Sequence, residues 1–343
     1  MLESEGEAPK LWGEFADLGW FALTAPQEDD GLGMHPSQLA HVFRTFGERL
    51  LTGAMLEQML LPGLLLSTVR DSAGDRQALP ARLSAALQGQ ARIAVADPGV
   101  TLHWSDVNGS LALGSGTLHG GLEIVRFGAL ADEILVIADD GSGETVALLD
   151  AGRSGVTAKS RSSADPGASF ASVRFDDVRV DDEDVVARGE AAAALASRIR
   201  AWQRLLISCE LAGIARHMLD LSVGFIQQRE QFGRPVAGFQ AIRHIAATAA
   251  QRTILLENFC DAVADDARSL TDEQFDLATL SLKATASETA RLVCEDALQM
   301  HGGIGFTYEY ELHWYYKRAL SLRTWYGDEH ELATEVGRRR LSA

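Results

Sequence analysis

Two segments in the last third of this 343-residue chain hold residue types suited to a flat, anionic ligand. The first reads Arg229-Glu230-Gln231-Phe232-Gly233-Arg234-Pro235, with Gln240 following. An arginine beside a turn offers a planar fork of donors to a phosphate. A phenylalanine at such a turn can stack on a planar ring or fill a hole. Taken alone, the segment reads equally well as a helix–turn–helix with a surface arginine. The second segment reads Gln299-Met300-His301-Gly302-Gly303-Ile304-Gly305-Phe306. Adjacent glycines at a helix end can take φ > 0 and let backbone approach a ligand closely. A lone Gly-Gly is more often a helix C-cap with a tight turn. His301 has the side chain for acid–base work, and Asp328 and Glu329 bring carboxylates a little further on.

The elements that must position these residues fall into three regions. Residues 1–90 read as a helical domain. Leu11, Phe15 and Leu18 recur at helical spacing, as do Leu39, Val42, Phe43 and Phe46. Pro26 and Asp29-Asp30-Gly31-Leu32-Gly33 make a loop between them. Further helices are expected over 55–68 and 75–88. Residues 91–187 change character. Short apolar runs such as Ile93-Ala94-Val95 and Ile134-Leu135-Val136-Ile137 are split by Gly, Asp and Ser, which predicts a domain of short strands. Gly109, Gly114, Gly116 and Gly120-Gly121 are read as its turns. Residues 188–343 are helical again. Leu205, Leu206, Cys209 and the run 211–219 form one stripe, with further long helices over 240–267 and 271–300. Asp272 lies near the start of the last and Gly302-Gly303 stops it. The long helices predict an up-down bundle.

Composition narrows the function. Hydrophobic content of 46% marks an ordinary folded protein. A net charge of −17 with no basic stripe argues against nucleic acid and against an acidic membrane surface. Cys209, Cys260 and Cys294 are far apart in sequence and show no metal or redox spacing, so they read as small buried hydrophobes of a reducing compartment. The start, Met1-Leu2-Glu3-Ser4-Glu5, is acidic and unlike a signal peptide. No apolar run reaches the roughly 18 to 20 residues that span a bilayer. The expected location is the cytoplasm.

In this order, the two segments resemble the C-terminal half of an acyl-CoA dehydrogenase. The resemblance extends from about Leu11 to Arg340 and is specific in the C-terminal half, where Glu309-Tyr310 also matches. It implies that family's fold: α+β, with an N-terminal helical domain, a middle β-barrel-like domain and a C-terminal four-helix bundle. It also assigns roles. Arg229 would contact the FAD pyrophosphate, Phe232 would pack on the adenosine side, and Gln240 would hydrogen-bond nearby. Gln299, Gly302 and Gly303 would face the adenosine and pyrophosphate half. All of these would serve the FAD of a neighbouring subunit. His301 lies where the family uses backbone and is taken as structural.

The same resemblance exposes losses. A family Glu, in a Tyr-Glu-Gly-Thr pattern, takes the substrate α-proton. Counted without gaps from the glycine pair, that position is Tyr326, followed by Gly327 and Asp328. A tyrosine with a pKa near ~10 is mostly protonated at neutral pH. Other members carry the base in a Glu-Arg-Leu pattern, which here reads Gln203-Arg204-Leu205. No catalytic residue is therefore assigned. A Thr-Glu-Pro-Gly segment whose Thr touches the flavin becomes Ala96-Asp97-Pro98-Gly99. Ile124 and Arg126 stand where a Trp and a Thr meet the flavin ring.

Such a chain makes sense as one subunit of a heteromer, completing the FAD site of a homologous chain that carries the Glu. This pattern resembles the heterotetrameric acyl-CoA dehydrogenases of actinobacterial steroid catabolism, which act on CoA thioesters of sterol side-chain fragments. An electron-transfer flavoprotein is the expected redox partner by family analogy. One alternative is a self-sufficient homotetramer using Asp328 or Glu329 as base, although acidic residues there more often stabilise the first turn of a helix. Another is a structural or regulatory paralogue without flavin.

Overall fold

The computed structural model describes residues 7–71, 78–100 and 108–342. The acidic residues 1–5, and the first residues of the helix expected over 75–88, lie outside that set. Contacts divide the chain into two compact units: residues 1–36 with 52–202, and residues 37–51 with 203–343.

The first unit is built on one mixed sheet. Helices α1 (Glu7–Asp17), α3 (Met55–Asp71) and α4 (Ala78–Leu87) precede its strands. The strands are β1 (Ile93–Ala96), β2 (Gly109–Gly114), β3 (Thr117–Arg126), β4 (Glu133–Asp139), β5 (Glu144–Asp150), β6 (Val156–Arg161), β7 (Phe170–Arg179) and β8 (Val185–Arg188). Their order is β6-β7-β3-β2-β4-β5-β8, with β1 paired in parallel to β4. Among the described residues the two ends of that path, β6 and β8, do not pair. The sheet is thus open, and the expected barrel-like closure is corrected.

The alternation of side chains along β1, β4 and β5 explains the packing. Ile93, Val95, Leu135, Ile137, Val146 and Leu148 share a core with Leu61 and Leu65 of α3 and Leu79 and Leu83 of α4. The alternate residues Ala94, Ala96, Ile134, Val136, Ala147 and Leu149 join Leu111, Leu118, Leu122 and Val173 in a second core made mostly by strands. Because β4 is covered on both faces, it reads as one continuous apolar run. Gly120 and Gly121 are not in a turn. They lie inside β3 beside a bulge. A Cβ on Gly120 (φ +112°) would meet the Ser110 carbonyl oxygen at 2.2 Å. Close backbone approach selects glycine there.

The second unit is helical. It holds α2 (Leu39–Arg49), most of α5 (Gly189–Gln228), α6 (Gln240–Asp266), α7 (Asp272–His301), α8 (Leu312–Thr324) and α9 (Glu329–Ser342). The three long helices expected are thus joined by α2, α8 and α9. Helix α7 packs against α6, α8 and α9. Its start is a capping box in which Thr271 Oγ1 accepts from the Gln274 N–H at 3.3 Å and Gln274 Oε1 accepts from the Thr271 N–H at 3.0 Å. Cys209, Cys260 and Cys294 are all buried, and the fold makes neighbours of Cys209 and Cys260.

From 203 to 215 every residue of α5 is buried. The polar side chains in this stretch therefore need partners inside the protein. Arg204 pairs with Asp276 of α7, whose other oxygen accepts from Arg339 at 2.6 Å. Glu210 accepts from Arg318 of α8 at 3.0 Å. Helix α2 reaches α5 through glycine. A Cβ on Gly213 would lie 1.9 Å from the Arg44 carbonyl oxygen, and one on Gly47 would lie 2.0 Å from that of Glu210. Gly213→Ala is expected to force the helices apart and cost about 1–3 kcal/mol. Denaturant unfolding measures this, and an unchanged midpoint would refute the close crossing.

Candidate functional site

Helix α5 ends where Arg229 N donates to the Phe225 carbonyl at 2.9 Å. A two-stranded hairpin comes next: β9 (Glu230–Gln231) and β10 (Arg234–Pro235), with Gln231 opposite Arg234. Its two-residue loop is Phe232-Gly233, with φ of 53° and 77°. Positive φ at both positions is the type I′ geometry that matches strand twist. Glycine accepts it freely. Phenylalanine does so at a cost on the order of 1 kcal/mol. Yet Phe232 is 92% exposed, touching Phe239 edge-on at 6.1 Å between centroids. The chain's own packing does little to offset that strain. Arg234 sits 4.0 Å over the Phe239 ring, while Arg229 is exposed. Gln240 is the exposed first residue of α6, which starts with no side-chain cap and no acidic residue in its first turn. Free N–H groups and an uncompensated dipole there favour an anion.

Gln299 is an exposed residue in the last turn of α7. Gly302 then takes φ 61° and ψ −138°, a conformation reserved for glycine. A Cβ on Gly302 or Gly303 would meet nothing within 4 Å. Gly305 differs, since its Cβ would press on Leu312 at 3.1 Å and His301 at 3.2 Å. The fold itself explains Gly305, while no neighbour among the described residues requires a glycine at Gly303. Ile304, Phe306 and Tyr308 beyond it are 43%, 75% and 81% exposed.

The fold brings these segments to one end of the helical unit. Phe225 of α5 stacks on His301 of α7 at 4.3 Å. Helices α6 and α7 form a hairpin, with Arg252 and Asp296 paired at 3.0 Å, so the start of α6 lies toward the end of α7. His301 Nδ1 lies 2.8 Å from the Ala297 carbonyl, and burial lowers its pKa. Its neutral ring packs between Phe225 and Tyr310, in keeping with a structural role.

The carboxylates are held otherwise. Asp328 Oδ1 accepts from the N–H groups of His330 at 2.9 Å and Glu331 at 3.0 Å, while Glu331 Oε2 accepts from the Asp328 N–H at 3.1 Å. This is the cap of α9. Glu329 takes a bidentate pair from Arg323, both bonds 2.7 Å, which draws its pKa down despite partial burial. A carboxylate so stabilised is a weak proton acceptor. Tyr326 is buried with φ 59°. Beneath this turn lies Lys283, whose Nζ donates to Ser287 Oγ at 2.8 Å and to the carbonyls of Arg323 at 2.9 Å and Gly327 at 3.1 Å. Sequence reasoning passed over Lys283. A lysine in an apolar helical stripe was its one signal.

In the sheet unit, Ala96 is fully buried in the strand core, and Asp97 receives a bidentate pair from Arg200 at 2.8 and 2.7 Å. Arg126 lies against buried Glu57, 3.6 Å away. These positions offer no free hydroxyl to a flavin ring. The exposed arginine, uncapped helix start and open glycines of the helical unit fit the phosphate and adenosine end of a dinucleotide.

Residues 194–341 match the family described as acyl-CoA dehydrogenase, C-terminal domain. Over that C-terminal region the chain is similar to the acyl-CoA dehydrogenase family. It is similar to the acyl-CoA dehydrogenase IpdE2 of Mycolicibacterium smegmatis, 29% identical over 93% of this chain and 84% of that one. It is also similar to the acyl-CoA dehydrogenase FadE34 of Mycobacterium tuberculosis, 34% identical over 36% of this chain, a match spanning 17% of FadE34. The crystal structure of the ChsE4-ChsE5 complex from Mycobacterium tuberculosis shares the fold, with a TM-score of 0.84 and 22% identity over 98% of this chain and 88% of that chain. Among the described residues no helix is long and apolar enough to cross a membrane.

Two outcomes are expected. Burial pushes the Lys283 ammonium down to about 7, opposed most by Glu329. Between about 7 and the ordinary 10.5 the unfolded chain then binds the extra proton, so stability rises with pH. Below about 7 both states are charged and the full penalty applies. Wild type should therefore gain on Lys283→Met as pH climbs through that window, by on the order of a few kcal/mol. Parallel stability–pH curves would refute it. Separately, Asp328→Ala should cost about 1 kcal/mol through the lost cap, measured by thermal melting, and leave any turnover by an assembled complex unchanged.

Proposed function

We propose that this chain is the non-catalytic subunit of a heteromeric FAD-dependent acyl-CoA dehydrogenase. It completes the FAD site of a homologous chain that carries the catalytic Glu. The observation that carries this reading is the contrast at the helical unit. Arg229, Phe232, Gln240, Gln299, Gly302 and Gly303 face solvent, with Phe232 held in a strained conformation that packing does not offset. Meanwhile Asp328 and Glu329 are tied up in a cap and an ion pair. The first set suits a ligand held by another chain; the second speaks against a base here.

In this reading Arg229 and the open start of α6, with Gln240, would hold the pyrophosphate of the partner's cofactor. Phe232 would cover the adenosine side, and Gln299 with the backbone of Gly302 and Gly303 would line the phosphate end. FAD held there would supply a hydride acceptor. This chain moves no proton. Tyr326 offers a phenol in place of a carboxylate, and Gln203 has no basic oxygen. A sterol side-chain acyl-CoA is the substrate expected from the resemblance to the steroid-catabolism dehydrogenases. The two-component ChsE4-ChsE5 assembly supports a heteromer. An electron-transfer flavoprotein as oxidant is expected by family analogy, and a cytoplasmic setting accords with these partners.

Flavin absorbance per chain tests the proposal, on the protein alone and after co-expression with the partner. One FAD for each pair of chains is expected, with a colourless single chain. Arg229→Ala should weaken flavin retention by about 10- to 100-fold, as loss of a charge-assisted bond implies. A yellow homo-oligomer with flavin in every chain, or a mutant complex with unchanged flavin, would overturn it.

A further inference from the structure

The three cysteines are far apart in sequence, and the fold treats them differently. Helices α5 and α6 leave and re-enter the Arg229 hairpin, and Arg216 of α5 holds Glu257 of α6 at 2.9 and 2.5 Å. The two helices therefore run side by side in opposite directions. Cys209 lies about as far before the end of α5 as Cys260 lies beyond the start of α6, roughly 30 Å along each at 1.5 Å per residue. That register sets the two thiols opposite one another, and they hydrogen-bond. Both are 0% exposed. Arg44 of α2 completes the group. Its charge acts on both thiols, and its Nη2 reaches Asp261, next to Cys260, and the Glu257 carbonyl at 3.4 Å. Its Nε is buried with no hydrogen-bond partner among the described residues. A cationic donor held in this way suits a sulfur that takes on negative charge. Cys294 of α7 has no such company, and burial pushes its thiol up.

We propose that Cys209 and Cys260 form a redox modification site, closing reversibly to a disulfide that ties α5 to α6. This goes beyond the cofactor reading and uses none of its residues. The oxidant is hydrogen peroxide, small enough to enter by the partly exposed Arg44–Asp261 seam. The bond to Cys209, together with burial, keeps Cys260 protonated, so Cys209 beside Arg44 reacts first. Its thiolate attacks one peroxide oxygen and the O–O bond breaks. A sulfenic acid forms, and the departing hydroxide takes up the Cys209 proton. The Cys260 sulfur then attacks the Cys209 sulfur. The S–O bond breaks, and the second hydroxide leaves as water with the Cys260 proton. Two thiols thus lose two electrons and two protons, and one peroxide becomes two waters. Exchange with a small dithiol reverses the step. In a reducing compartment such a bond is transient and acts as a sensor.

The purified protein, treated with hydrogen peroxide and then unfolded in N-ethylmaleimide, tests this by peptide mass spectrometry. Cys209 and Cys260 are expected in one linked peptide pair, with Cys294 alkylated. Dithiothreitol should return all three cysteines to the alkylated form. The oxidised protein should also melt several degrees higher than the reduced one, because the cross-link constrains the unfolded chain. Cys209→Ala and Cys260→Ala should each lose both the link and that rise. Cys209→Ser and Cys260→Ser serve if the alanine variants do not fold. Three free thiols after excess peroxide, a link to Cys294, or a mixture of links like that of protein oxidised in urea overturns the proposal.

Discussion

The helical unit depends on a stretch of α5 that has no face toward water. Between 203 and 215 every side chain is enclosed, so each polar group must find a protein partner or remain unpaired. That requirement organises the neighbours. Asp276 of α7 lies between Arg204 and Arg339, Arg318 of α8 meets Glu210, and α2 is drawn in until its backbone touches α5 at Gly47 and Gly213. Arg318 and Tyr315 also donate to the carbonyls of Leu51 and Glu48, at 3.0 and 2.9 Å, closing α2 onto α8. Against this density of pairing, the Gln203 amide stands out as lacking a partner among the described residues.

A rigid centre leaves the ends of the helices free to serve function. The C-terminal ends of α5 and α7 meet through Phe225 and His301, and the segment after each is short, glycine-bearing and solvent-facing. Phe232 in a left-handed conformation and glycines whose Cβ positions stand in open space are local features that folding alone does not call for. The acidic residues near Tyr326 show the opposite arrangement. They cap α9, pair with Arg323 and lie over the Lys283 clamp, so both carboxylates are engaged in holding the turn.

Much of this was legible in the sequence. Apolar spacing located the long helices, the short runs located the strands, and the motif order pointed to the family. The carbonyl and hydroxyl partners of Lys283, however, come from α7 and a turn some forty positions away, and no local pattern announces them. Gly120 and Gly121 look like turn residues, because sequence cannot distinguish a glycine that bends the chain from one that makes room for a neighbouring strand. Closure of the sheet was also beyond reach, since it depends on whether β6 and β8 pair, which strand composition does not encode.

The sequence by itself determined which chemistry is available. Arginine, aromatic and paired glycines stand at two helix ends, and Tyr326 and Gln203 stand where the resemblance expects carboxylates. Those are matters of residue type and spacing along one chain. The tertiary structure alone decided how the groups are used. Burial and pairing are properties of the whole packed unit, and they withdrew Asp328 and Glu329 into a cap and an ion pair, left Gln203 enclosed without a partner among the described residues, and kept Arg229 and Phe232 in solvent.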